Sequence, residues 1–179
     1  MAKVIIGNKE QGFVRFGFIN VFEARKSKMY PLGPEKFTAV VLFPKDHPQV
    51  AEIQAAIEET AEAGWGKKKP AILNNPLRDG DTAKAGNEAF AGMYFITASS
   101  SADEPPGVLD ALVQPAKEQD WNSGDYGRVS VNFYPSIANT KIGVGLNNVQ
   151  FVLKGEPLSE RVSANQEFGV EAVEPDEAF

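Results

Sequence analysis

The 179-residue chain contains no cysteine and a single histidine, His47. Without cysteine there is no disulfide, thiolate metal site or cysteine nucleophile, and one imidazole leaves little for a metal cluster or a catalytic triad. No apolar run is long enough to span a bilayer, and MAKVIIGNKEQG turns polar before a signal-peptide core can form. No glycine-rich stretch has P-loop spacing. Together these absences disfavour most familiar hydrolytic chemistry. They lead us to expect a cytoplasmic protein that is not an enzyme, with no metal and no cofactor.

What is present is a soluble globular composition, 42% hydrophobic and 23% charged, long enough for one domain with a good core. The net charge is −6. It lies entirely in residues 155–179, where Glu156, Glu160, Glu167, Glu171, Glu174, Asp176 and Glu177 face only Arg161. The first 154 residues balance, and a neutral body can still carry a basic cleft because local potential decides what a groove attracts.

The stretch Tyr126 to Leu153 organises the chain. Val129, Val131 and Phe133 alternate with Arg128, Ser130, Asn132 and Tyr134, so one face requires a core while the other lines up a cation, a hydroxyl, an amide and a ring. That second face suits a charged, flat-faced polymer. An ordinary β-hairpin with a polar exterior has the same pattern. A second run, Asn148 to Leu153, again alternates, and the intervening residues, with Pro135, Asn139, Lys141, Gly143 and Gly145, read as a loop able to approach phosphates closely.

Upstream, Phe13 to Phe22 reads as a strand carrying Arg15 on its polar side, followed by a basic connection with Lys26, Lys28 and Tyr30. The connection is a solvated loop or a basic finger with one stacking ring. Phe37 to Phe43 is apolar enough for a buried strand. The one clear helix spans about Pro48 to Ala63, with Asp46 or His47 as its cap and Gly64 at its C-terminus. Its stripe of Val50, Ile53 and Ile57 leaves Glu52, Glu58, Glu59 and Glu62 as a solvated face, and His47 is expected as a cap or surface residue. Trp65 then stands beside Lys67, Lys68 and Lys69, candidates for phosphate contact. Arg78 lies in a turn-rich loop whose Asp79 and Asp81 lack the third carboxylate a metal site requires. Gly92 to Ser99, carrying Tyr94, reads as a further strand, and Val108 to Val113 as a short apolar segment. Five strand-like runs, one helix and no βαβ alternation predict a small, mostly antiparallel barrel. The OB fold shares that inventory.

The strings NNPLRDGD, GMYFITASS, SGDYGRVSVNFYP and GVGLNNVQFVLKGEPLSERVSA, in this order around a helix ending in GWG, resemble a bacteriophage single-stranded-DNA-binding protein family formerly catalogued as a domain of unknown function. The resemblance runs from about Phe13 to Phe168. It implies a five-stranded OB-fold antiparallel barrel with one α-helix inserted between strands, occupying residues 1–154. Residues 155–179 would follow as an extended segment and an acidic, flexible C-terminal tail. The resemblance also implies non-catalytic coating of ssDNA during phage replication, recombination and repair, in the cytoplasm of an infected bacterium. The end, Glu174, Pro175, Asp176, Glu177, Ala178 and Phe179, is similar to the acidic, aromatic-terminated tails of such proteins. It would dock replication proteins such as a polymerase or helicase-primase, although Ala172, Val173 and Ala178 interrupt its acidity. The sequence leaves a homodimer open. A phage structural or assembly protein using the same sheet to bind protein is the alternative reading. From the physical pattern, the expected ssDNA-binding set is Arg15, Lys26, Lys28, Tyr30, Lys67, Lys68, Lys69, Arg78, Tyr94, Arg128, Asn132, Tyr134 and Lys141, with Glu174, Asp176, Glu177 and Phe179 as the partner-binding tail.

Overall fold

A computed structural model describes residues 2–26, 32–70 and 73–158. Lys28, Tyr30 and the four expected tail residues Glu174, Asp176, Glu177 and Phe179 lie outside the described residues. Strands β1 (Ala2–Ile6), β2 (Val14–Arg25) and β3 (Lys36–Pro44) precede helix α1 (Val50–Trp65). There follow β4 (Arg78–Asp79), the short helix α2 (Gly80–Ala83), β5 (Met93–Ser101), β6 (Gly107–Leu109), β7 (Tyr126–Ser136) and β8 (Lys141–Leu153).

Alternation decides what each strand buries. Val129, Val131 and Phe133 of β7 point inward, as do Phe37, Ala39, Val41 and Phe43 of β3, Ile96 and Ala98 of β5, and Ile142, Val144 and Leu146 of β8. Burying each large apolar side chain contributes roughly 1.5–3 kcal/mol. The pairings run β2 to β3, β3 to β5, β5 to β8, β8 to β7, and β7 back to β2, so five strands form a ring of hydrogen-bonded neighbours. The β5–β8 and β6–β8 pairs are parallel, and the other pairings are antiparallel. Inside, Phe151 meets Phe16 edge-on at 5.1 Å and stacks at 5.0 Å with Trp121, which is partly buried and packs against the core. A smaller cluster of Leu42, Phe90 and Phe95 forms on the opposite side of β3 and β5, with Leu158 packed against it.

Several sequence expectations change. The helix begins at Val50 and ends at Trp65, with Gln49 as N-cap and Gly66, at φ 55°, as C-cap. His47 is neither cap nor surface group: it is buried, its Nδ1 accepts from the Gln49 amide at 3.1 Å, and its Nε2 lies 3.0 Å from the Gly12 carbonyl oxygen. Gln49 in turn donates to the Ile5 carbonyl and accepts from the Gly7 amide, fastening α1 to β1. Gly64 sits inside the last turn, where a Cβ would come within 2.5 Å of Pro135, so glycine there permits close helix–strand approach. The N-terminal segment, read as a polar lead, is β1 paired along β7 from Ala2–Phe133 to Ile6–Val129. Of the Val108 to Val113 segment only the first two residues are strand.

The largest change concerns the expected loop from Pro135 to Asn147. Gly143 and Gly145 are strand residues of β8, and the β7–β8 connection shrinks to residues 137–140. Ile142, Val144 and Leu146, alternating with the glycines, drive this by pointing into the core.

Candidate nucleic-acid interface

The outward glycines of β8 have a partner. Tyr134 pairs with Gly143 across the hairpin, and a Cβ added to Gly143 would sit 2.2 Å from the tyrosine Cζ. The phenol ring therefore lies flat over Gly143 and reaches toward Gly145, presenting its other side to solvent at 38% exposure. An aromatic face laid on a glycine floor can stack a base without first finding a conformation.

The C-terminal end of α1 reaches the same place. Contact of Gly64 with Pro135 and Ile137 brings the last turn of α1 against the β7–β8 connection, so the exposed Lys67 and Lys68 follow at that end of the sheet, while the exposed Lys141 lies two residues from Gly143 on β8. Lys69 is nearby but pairs with Glu58 at 2.7 Å. That exposed bridge is worth at most about 1 kcal/mol and can be exchanged for a phosphate. Lys67 and Lys141, 74 positions apart in the chain, thus come to the same end of the sheet as Tyr134.

From the corner a row of small and polar residues crosses the sheet. Strand register places Lys3 beside Asn132, Asn132 beside Gly145, Gly145 beside Ser99, Ser99 beside Thr38 and Thr38 beside Asn20. Each lies between inward-pointing neighbours, so the row faces outward. Asn132 donates to Asn147 at 3.2 Å, which donates to Ser130, and Asn20 donates to Thr38 at 3.2 Å. At the far end of β2 and β3, Arg25 pairs with Lys36 and Lys26 follows, all exposed. The floor is low because glycine and serine occupy its middle, and cations stand at both margins.

Other expected residues are placed differently. Arg15 donates to the Gly124 carbonyl at 3.0 Å and the Glu156 carbonyl at 2.8 Å and lies over the Tyr126 ring. Arg78 stands 5.4 Å above the Phe95 ring, and Tyr94 is half-buried beneath Lys45. Arg128 is exposed but donates to Gln150, six residues and about 20 Å along β7 from Tyr134.

A model of the family described as Enterobacter phage Enc34, ssDNA-binding protein, matches residues 2–179. The chain belongs to this family. Among solved structures, the Enc34 single-stranded DNA-binding protein in complex with ssDNA is similar at 19% identity, over 88% of this chain and 89% of that one, with a TM-score of 0.69. A second structure of the single-stranded DNA-binding protein from bacteriophage Enc34 is similar at 19% identity over 92% of this chain and 89% of that one, with a TM-score of 0.67. Gp2.5, a single-stranded DNA binding protein encoded by bacteriophage T7, is similar at 14% identity over 92% and 99%, with a TM-score of 0.59. At these identities the likeness establishes the shared fold. No curated protein matches the chain at a significant level.

In this member of the Enc34-type family the carboxylates Asp79 and Asp81 hold Lys45, at 2.8 and 2.7 Å. The lysine's hydrogen bonds hold both acids below the usual carboxylate range, and the two acids push the ammonium above its ordinary value. Among the described residues there is no group of three acidic or histidine side chains fit for a metal, and no helix is long and apolar enough to cross a membrane. Sequence reasoning missed Lys3, Asn20, Thr38, Ser99 and Ile137. The signal for Asn20, Thr38 and Ser99 was available as outward positions on recognised strands; Lys3 required seeing β1.

Proposed function

We propose that this chain binds single-stranded DNA without sequence preference, along the outer face of β7, β8 and β5 and across the lysines of the β7–β8 corner. The single observation that carries the reading is the half-exposed Tyr134 ring lying on Gly143, with the exposed Lys141 two residues along the same strand. Stacking on such a ring is worth about 1–3 kcal/mol per base and accepts any base, while lysines contact phosphates through charge alone. Asn132, Thr38, Ser99 and Asn20 line the path, and Lys26, with Lys28 and Tyr30 next in the chain, lies at its other margin. Arg128 marks an outer limit of the path on β7, whereas Arg15 is committed to the Gly124 and Glu156 carbonyls, Arg78 lies over the Phe95 ring and Tyr94 is half-buried beneath Lys45. The ring of paired strands β2, β3, β5, β8 and β7 supports reading the fold as an OB-type barrel, a fold whose outer face and loops seat oligonucleotides.

The biological reading follows from family membership and this surface. The protein coats and protects ssDNA during phage DNA replication, recombination and repair in the infected host. It has no catalytic role, and its acidic end docks replication proteins. Fluorescence titration with oligo-dT at two salt concentrations tests the binding. Affinity that falls steeply with salt is the expected result, and no binding at low salt would leave the sheet as a protein-binding surface of a phage assembly component.

A further inference from the structure

Two apolar patches stand at opposite ends of β8, and neither is buried within this chain. At one end the loop after β6 presents Leu112 and Val113 at 81% and 63% exposure. The loop is rigid: Asp110 accepts from the amides of Leu112 and Gln114 at 2.9 and 3.0 Å, its carbonyl accepts from Val113 and from the Gln150 side chain, and its amide donates to Gln114. Val113 sits at φ 59°, a left-handed conformation that costs a β-branched residue strain and that asparagine or glycine would adopt more easily. An apolar pair is thus held outward against local preference. Residues 103–120 around it contain Asp103, Glu104, Asp110, Glu118 and Asp120 against Lys117 alone.

At the other end Ile137, 57% exposed, projects from the β7–β8 connection against Gly64 in the last turn of α1, with the exposed Lys67 and Lys68 just after that turn and the exposed Lys141 four residues along the chain. Gln150, which anchors the first patch, is nine residues from Lys141, about 30 Å along the strand. The two patches therefore lie too far apart to meet within one molecule. One is apolar with an acidic surround and the other apolar with a basic surround.

We propose that copies of this chain associate head to tail, with Leu112 and Val113 of one copy seated on Ile137 and its lysines in the next. A contact between two different patches is heterologous and does not close on itself, so it generates open chains rather than a dimer. Each contact is small and its charge component is screened, so assembly is weak and confined to low salt. Because the receiving patch overlaps the proposed DNA-binding corner, ssDNA disperses the chains; this last step alone rests on the proposed function.

Sedimentation velocity of the full chain across a concentration series decides the matter. Wild type at about 50 mM salt is expected to sediment faster as concentration rises, and to return to monomer at about 0.5 M salt. Leu112→Ser with Val113→Asn, which suits the local backbone and leaves residues 155–179 intact, should remain monomeric while binding oligo-dT as wild type does. Ile137→Ser should also remain monomeric. An equimolar mixture of the two variants, each keeping one sound patch, should form a dimer that grows no further. Wild type that stays monomeric, assembly that stops at a dimer, or a Leu112/Val113 variant that still forms chains would overturn the proposal. Oligo-dT that binds yet leaves the chains intact would overturn the assignment to Ile137. Failure of oligo-dT to bind at all would remove the DNA reading while the mixing experiment still decides the assembly.

Discussion

The two ends of β8 use the same kinds of side chain to opposite purposes. At the Leu153 end Lys154 and Arg15 are tied down. Lys154 reaches the almost fully buried Asp125 at 2.8 Å and lies over the Trp121 ring, while Arg15 is committed to the carbonyls of Gly124 and Glu156. The amides of Gly155 and Asn122 complete the shell of Asp125. At the Lys141 end, Lys67, Lys68 and Lys141 are exposed and the aromatic ring turns one face to solvent. Charge committed to a buried partner builds the fold, and charge left exposed beside an open ring is available to a ligand.

The largest expected effect breaks the committed end. Asp125→Ala strands two amides and Lys154, and should lower unfolding stability by about 2–3 kcal/mol in urea melts, given that Lys154 can partly rehydrate. A pH series sharpens this. Burial alone would raise the Asp125 carboxyl, but Lys154 and the two amides outweigh burial and hold it below the usual aspartate value. Its contribution is therefore present at neutral pH and fades as pH falls below about 4, and Asp125→Asn should flatten that acid limb. An unchanged limb would mean that Asp125 is not the group responsible.

At the open end Tyr134→Ala should cost about 1–3 kcal/mol of ssDNA affinity with little change in salt dependence. Gly143→Val, whose side chain would occupy the ring's seat, should act through the same group; combining it with Tyr134→Ala should then add little further loss. Lys67→Ala, Lys68→Ala and Lys141→Ala together should reduce the slope of log affinity against log salt by about 2, at about 0.7 per phosphate contact. Homopolymers should all be affected alike. Arg128→Ala, with its guanidinium on Gln150 and distant from the corner, should change the slope least, by less than about 0.7. A larger change at Arg128 than at the three lysines would move the interface to the other end of the strand.

Much of the fold was legible in alternation. Val129, Val131 and Phe133, and likewise the apolar run of β3, announced their inward faces because side chains of a strand must take opposite sides. Lysine enrichment around Trp65 was equally visible, since charge and ring type are local properties. Gly143 and Gly145 were misread as loop because glycine in isolation signals a turn, and only the buried Ile142, Val144 and Leu146 alternating with them make a strand favourable. β1 was missed because a five-residue edge strand is supported by its partner β7 and by Gln49 rather than by its own pattern.

By itself the sequence determined the classes of chemistry that are closed to this protein, the inward and outward faces of its strands, and the residues able to stack or to carry charge. Those follow from composition and a two-residue period, which need no knowledge of neighbours. Only the tertiary structure decided that Arg15 and Lys154 are spent on the fold while Lys67, Lys68 and Lys141 stay exposed at the end of the sheet that carries Tyr134. Whether a charge is free depends on what a distant segment brings against it, as Gly124 and Glu156 do for Arg15, and contacts across more than a hundred residues leave no periodic trace in the chain.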